Sequence, residues 1–178
     1  GIVHRLDKDT SGVLLVAKTE QALRFLMADF KDRKIHKTYH ALLVRTPRDP
    51  QGRMVAPIGR HPVHRKKMAV CPESGKHAVT AWRVQERYPN GWCLAEIIIE
   101  TGRTHQIRVH MAAMNSPVAG DALYGGTPGH DRVLQPARQM LHASTLRFVH
   151  PVSGEVLCCT APLWADMLHL LDVLRNRD

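Results

Sequence analysis

Two stretches of this sequence set charged side chains at spacings that suit chemistry better than packing. The first is Gly1–Gly12, GIVHRLDKDTSG, in which Arg5 stands two positions before Asp7 and Thr10, Ser11 and Gly12 follow as a tight polar turn. The second is Thr101–His110, TGRTHQIRVH, which carries Arg103 and Arg108. A carboxylate on a turn serves as a nucleophile or a base when a cation keeps it ionised and oriented. A buried arginine needs such a carboxylate in return. If this second stretch opens a helix, Arg108 beside Ile107 faces inward while Arg103 faces the entrance. Asp7 is then the acid best placed by context to pair with Arg108. Local sequence also allows Asp7 to be a turn-capping residue ahead of Thr-Ser-Gly, the commonest task for an Asp there.

Metal chemistry fits these residues poorly. Asp7, Asp9, Ser11 and Gly12 imitate the start of a calcium loop, but the position that needs an acid is Lys18, and a strand-like run replaces the helical flank. His61 and His64, and likewise His105 and His110, have no carboxylate or cysteine that completes a ligand set. The histidines, His4 included, are better read as solvated or hydrogen-bonded near phosphates. No metal or cofactor is expected.

The elements that must position these residues can be read from periodicity. Val13–Ala17 (VLLVA) is a short apolar run expected to be a buried strand. Leu23, Leu26, Met27 and Phe30 then repeat at helical spacing, predicting a helix from about Glu20 to Arg33 with Thr19 as N-cap. It ends in the cations Lys31, Arg33, Lys34 and Lys37. Lys37–Val44 reads as a strand carrying Tyr39. Thr46–Pro72 is broken by five prolines and reads as a loop. From Pro50 to Pro72 it holds five Arg or Lys and no acid, centred on Arg60-His-Pro-Val-His-Arg-Lys-Lys67. That run is either a solvated face or a loop projected at a phosphate backbone.

His77–Tyr88 and Trp92–Thr101 form an expected antiparallel pair around the turn Pro89-Asn90-Gly91, the second strand being central. Thr104 is the expected cap of a helix whose stripe is Ile107, Met111 and Met114, and which stops at Pro117. Ala119–Gly129 reads as a Gly-rich loop. Leu141–Val149 and Glu155–Thr160 read as strands around Pro151-Val-Ser-Gly154. A final helix from about Pro162 has the stripe Leu163, Met167, Leu170, Leu171 and Leu174.

Bulk properties narrow the class of partner. The 178 residues, 44% apolar and 23% charged, suit one globular domain. Lys and Arg number 25 against 16 acids, a formal charge of +9 before the 12 histidines are counted. Such a surplus favours a polyanion, nucleic acid first and an acidic membrane surface second. No apolar run approaches the roughly 20 residues of a membrane helix, so no membrane partner is expected. Cys71, Cys93, Cys158 and Cys159 form no C-x-x-C pair, and reduced thiols in the cytoplasm fit best.

The motifs taken together resemble one family. HRLDKDTSG (His4–Gly12) resembles the signature of the RluA-type pseudouridine synthases, KTYHAL (Lys37–Leu42) their second motif and GRTHQIRVH (Gly102–His110) their third. PIGRHPVHRKKMAV with GKHAVTAW is similar to the ribosomal-RNA branch, and RQMLHASTLRFVHPVSGE with APLWADM to the C-terminal part, Trp164 standing where proline is more usual.

The resemblance implies an α+β pseudouridine synthase fold, a mixed and mostly antiparallel sheet with flanking helices and a central cleft. It implies one catalytic domain over residues 1–178, lacking an N-terminal portion usual in the family. The implied activity is isomerisation of uridine in RNA to pseudouridine by a cytoplasmic, monomeric enzyme, with 23S ribosomal RNA favoured and tRNA the alternative. In this reading Asp7 is the essential carboxylate, Arg108 its partner and Tyr39 the ring that stacks on uracil. Arg5 helps displace the base, while Arg60, Arg65, Lys66, Lys67 and Arg103 hold phosphates. The rivals are a non-catalytic basic RNA-binding module, in which Asp7 is structural, and a basic hydrolase that cuts nucleic acid.

Overall fold

Strand-forming runs with period-2 burial build the sheet that carries the cleft. In the computed structural model, which describes residues 1–127 and 134–177, the elements follow in chain order. They are β1 (Ser11–Gly12), α1 (Glu20–Lys31), β2 (His36–Leu43), β3 (Gln51–Val55), β4 (Ile58–Arg60) and β5 (Met68–Val70). After these come β6 (Val79–Arg87), β7 (Cys93–Ile99), α2 (Gln106–Ala113), β8 (Leu141–Val149), β9 (Val156–Thr160) and α3 (Ala165–Arg175).

Seven strands form one sheet in the order β1-β8-β2-β7-β6-β3, with β9 also paired to β8. Every pairing is antiparallel except the short parallel contact of β1 with β8. β4 and β5 make a separate hairpin. This is the α+β architecture anticipated from the motifs.

The two faces of the sheet are covered by different helices. On β2, Tyr39, Ala41 and Leu43 face Ile107 and Met111 of α2, together with Ala95, Ile97 and Ile99 of β7. Leu42 and Leu94 point the opposite way, onto Met167, Leu170, Leu171 and Leu174 of α3. Fully burying a residue such as Leu42 or Ile97 contributes roughly 2 kcal/mol. α1 packs Leu26 against Ile35, Leu146 and Phe148.

Several sequence expectations hold within a residue or two. Thr19 caps α1 through Ala22 N–H, and β2, β6, β7, β8, β9 and α3 fall where periodicity places them. Four expectations need correction. Val13–Ala17 is not a buried strand. β1 stops after pairing Ser11 and Gly12 with His142 and Ala143, because β9 takes the same edge of β8 from Thr145 onward. Leu14 and Val16 are left 46% and 51% exposed.

Thr46–Pro72 is not simply loop. It contains β3, β4 and β5, and its prolines sit between strands, where no ladder donor is lost. The expected Thr104 cap is also displaced. The N-cap position of α2 is His105, with a left-handed φ of 56°, while the Gln106 side chain accepts from Arg103 N–H and the Thr101 hydroxyl. α2 itself ends at Ala113, short of Pro117, and Asn115 turns the chain at a φ of 59°. Of the Gly-rich loop Ala119–Gly129, the last two residues lie outside the described ones.

Gly12 shows how closely the site is tied to the sheet. Its φ is 117°, and a Cβ there would meet the Ala143 carbonyl oxygen at 2.1 Å. Gly12→Ala is therefore expected to break the β1–β8 contact and cost about 2 kcal/mol or more, read as a lower midpoint in urea unfolding.

Candidate active site

Asp7 is held by its neighbours' backbone as well as by its own turn. Thr10 N–H donates to the Asp7 carbonyl at 3.0 Å, and Asp9 adopts a left-handed φ of 67°. The Gln139 amide donates to the Lys8 carbonyl at 2.5 Å and to the Thr10 hydroxyl at 3.2 Å. The Arg138 guanidinium donates to the Asp9 carbonyl at 3.0 Å. It also grips Asp166 through two bonds, at 2.7 and 2.8 Å, and lies over the Trp164 ring. Just beyond the turn, the Ser11 hydroxyl meets His142 Nδ1 at 2.8 Å. His4 accepts from Leu15 N–H at 2.9 Å and stacks on Phe30. Burial, followed by the charge of Lys37, holds its imidazole below the ordinary range.

Arg108 reaches this turn from α2. The helix is pinned by a chain of buried polar groups. Gln106 donates to the Val79 carbonyl and the Thr80 hydroxyl, Thr80 meets His110 Nδ1 at 2.8 Å, and His110 Nε2 reaches the Ala56 carbonyl at 3.0 Å. From that base the guanidinium makes a two-pronged pair with Asp121, Nε at 2.6 Å and Nη2 at 2.9 Å. Its Nη1 stands 3.6 Å from Asp7 Oδ2.

Asp7 pairs with Arg108 as the motifs led one to expect, and Asp121, which the sequence reading did not name, is the closer partner. Burial alone would depress the Arg108 pKa. The hydrogen bonds and charge of Asp121, then the charge of Asp7, outweigh burial and hold it above the usual value.

Tyr39, Leu6, Ile99, Ile107 and Leu141 wall a cleft whose polar groups include Asp7, Thr10, Arg5, Arg103 and Gln106. Tyr39 is 9% exposed. Burial, reinforced by the charge of Asp7, pushes its hydroxyl up to about 12, so it stays protonated at neutral pH. The cleft thus sets a carboxylate, backed by the buried Arg108, and a neutral phenol around an apolar slot. Such a slot can stack a planar base and move a proton beside it.

The structure brings together Asp7, Tyr39, Arg108, Arg5 and Arg103. Arg103 also donates from Nε to the His77 carbonyl. Arg60, Arg65, Lys66 and Lys67 lie apart from the cleft lining, on the β4–β5 hairpin. There His61 Nδ1 accepts from Val63 and His64 N–H, so the His61–His64 pair folds the hairpin tip.

Sequence reading missed Asp121 and Tyr124. The Tyr124 ring lies under Arg108, 5.0 Å from ring centre to guanidinium carbon. Its hydroxyl accepts from Met68 N–H at 2.8 Å and meets His105 Nδ1 at 2.7 Å. That residue ties the basic hairpin to the floor of the site. The available signal was an acid and an aromatic three residues apart in a Gly-rich loop, too weak to single out. Among the described residues, no group of three or more His, Cys, Asp or Glu is arranged to hold a metal.

Comparison with known proteins agrees with this arrangement. Residues 1–113 match the family described as RNA pseudouridylate synthase. A protein of Synechocystis named as an uncharacterized RNA pseudouridine synthase is 47% identical over 99% of this chain and 54% of its own length. The ribosomal large subunit pseudouridine synthase D of Xanthomonas campestris is 47% identical over 99% of this chain and 55% of its own. This chain therefore spans about half the length of these curated relatives. Human RNA pseudouridylate synthase domain containing 1 superposes with a TM-score of 0.78 at 30% identity, over 99% of this chain and 80% of that one. The cleft thus lies on a scaffold shared with those proteins, and the chain belongs to the RNA pseudouridylate synthase family, RluA type.

Proposed function

We propose that this chain is the catalytic domain, spanning residues 1–178, of an RNA pseudouridine synthase that uses Asp7 as its essential carboxylate. The observation that carries this reading is that Asp7 and Tyr39 line one cleft while Arg108 contacts the Asp7 carboxylate. In the reaction the N1–C1′ bond of uridine breaks and the uracil turns in place. C5 then bonds to C1′, C5 gives up its proton, and N1 ends protonated. The chemistry requires a group that stabilises or captures the sugar or the base during exchange, and Asp7 is the anion at hand. Tyr39 supplies an apolar face to hold the free ring and a hydroxyl that can relay a proton, giving its own to N1 and, as the phenolate so formed, taking the one that C5 releases. Arg5 lies exposed at the rim, where it can take the place of a base lifted from its stack.

Large-subunit ribosomal RNA is the substrate we favour over tRNA. The names of the relatives from Xanthomonas campestris and Nitrosomonas europaea support it. The exposed cations Arg60, Arg65 and Lys66 and the half-buried Lys67 on the β4–β5 hairpin suit backbone contacts that position RNA without reading sequence. The enzyme is read as a cytoplasmic monomer, with four free cysteines suiting a reducing compartment. No helix among the described residues is long and apolar enough to cross a membrane.

Three outcomes test this reading. Tritium release from RNA carrying 5-labelled uridine is expected, and Asp7→Asn should abolish it. Release that survives in Asp7→Asn would remove Asp7 from the chemistry. Asp121→Asn should lower the rate as well, because Arg108 loses its two-pronged partner. It should also destabilise the fold by about 3 kcal/mol, against less than about 1 kcal/mol for Asp7→Asn at its longer contact. Paired urea melts report the difference. Tyr39→Phe should slow turnover by a factor of about 10²–10⁴. Because the phenol titrates so high, the two pH–rate profiles should keep the same shape up to about pH 10.

A further inference from the structure

A second cavity, of about 480 Å³, adjoins the catalytic cleft and shares Arg5, Tyr39, Ile99, Gly102 and Arg103 with it as a common wall. Its far side is formed by the end of α1 and the start of β2, which contribute Phe30, Lys31, Arg33 and Lys37. Five cationic side chains therefore face one space.

The acids nearby do not neutralise them. Glu100 lines the cavity but is held by two hydrogen bonds to Arg53, at 2.9 and 3.0 Å. Asp29 and Asp32 pair with Lys34. Among the described residues no carboxylate lies within ion-pair distance of Lys31, Arg33, Lys37, Arg5 or Arg103.

Lys37 is the informative member. It is 8% exposed, yet it has no counter-ion and sits 5.8 Å from the Phe30 ring centre. Strand alternation puts it on the same sheet face as Tyr39, so its amine is delivered into the space beside the catalytic ring. Burial, then the charge of Arg33, holds that amine below its ordinary pKa. A buried ammonium left unpaired is costly, and an entering anion relieves that cost. Lysine is a point-charge binder of phosphate, with no need of the planar geometry an arginine pair imposes.

We propose that this annex is a phosphodiester subsite, holding the backbone phosphate next to the uridine seated in the catalytic cleft, with Lys37 and Arg33 as its principal cations. The proposal rests on the reading of the cleft as a uridine site, and the shared wall supplies the connection. A base stacked on Tyr39 leaves its sugar at the partition, and the adjoining phosphate then falls on the cationic side.

The test is a binding cycle that needs no turnover, so it is informative even for a chain that does not isomerise uridine. The dinucleotide UpU and its neutral methylphosphonate analogue are titrated by NMR into the full chain, into Lys37→Met and into Lys37→Arg, and UpU into Asp7→Asn. Neutralising the linkage or removing the Lys37 charge should each weaken binding about 10-fold, and doing both should weaken it little further. Lys37→Arg should retain most of the affinity, and Asp7→Asn should bind UpU without loss. Losses that simply add, or no loss in Lys37→Met, would overturn the proposal.

Free Lys37→Met should melt no lower than the native chain, because it removes an unpaired buried charge. An earlier melt would make Lys37 a structural residue and overturn it too. Inorganic phosphate that binds the annex as tightly as UpU would assign it to a free anion instead.

Discussion

A guanidinium buried beside an apolar slot is the constraint around which this molecule is arranged. Arg108 is 7% exposed, and a cation so placed is tolerated only where anions and oriented dipoles replace water. Asp121 provides the fixed half of that replacement, its carboxylate matching the planar fork of the arginine at 2.6 and 2.9 Å. Asp7 provides the other half from a greater distance, 3.6 Å, with a single oxygen. The division is physically sensible. A carboxylate saturated by a two-pronged pair has its lone pairs committed, whereas Asp7 sits in the field of the cation and keeps oxygen atoms free for a substrate. Asp121 anchors the charge, and Asp7 is left able to use it.

Holding two chain segments this close requires a rigid frame on each side. On the helix side, the buried run from Thr101 through Gln106 and Thr80 to His110 satisfies its members in sequence, which fixes the start of α2 against β6. Burial keeps His110 below its ordinary pKa, so it remains a neutral link in that chain. On the other side, the Asp7 turn is gripped through its carbonyls by Arg138 and Gln139, while Ser11 and Gly12 join the edge of β8. The residues that hold Asp7 in place are thus more than 120 positions away in sequence. The site is assembled by the sheet, since no single local segment contains it.

That separation explains what could and could not be read in advance. α3 was legible because its apolar stripe faces one core cluster along its length, and β2 and β8 because they are runs of strand-forming residues. The proximity of Asp7, Tyr39 and Arg108 followed from motif resemblance, and the Asp7–Arg108 contact from the general need of a buried arginine for an acid. Asp121 was hidden because its loop has no periodicity, and because Asp7 already satisfied the same argument. Val13–Ala17 misled because hydrophobicity says only that residues avoid water. The edge of β8 was already taken by β9, so the run could not join it. β3 to β5 were obscured by prolines that interrupt the segment without entering its strands. His105 in place of Thr104 reflects a backbone choice, a left-handed φ, that side-chain preference does not encode.

The distribution of charge adds a further layer to this frame. A net charge of +9 could be spread evenly, giving only weak non-specific attraction to RNA. Instead many of the acids are engaged at the periphery, Glu20 with Arg24, Glu86 with Arg175, Glu96 with Arg83 and Asp166 with Arg138. Among the described residues, Arg5, Lys31, Arg33, Lys37 and Arg103 around the cleft and its annex have no carboxylate within ion-pair distance. Walls of low dielectric concentrate the resulting field into the cavity. Asp7 lies within this field, so an anion approaching it would be opposed by one carboxylate and favoured by several cations. That imbalance is assembled from distant parts of the chain, with Arg5 before β1, Lys31 on α1, Arg33 in the turn after it, Lys37 on β2 and Arg103 in the turn before α2.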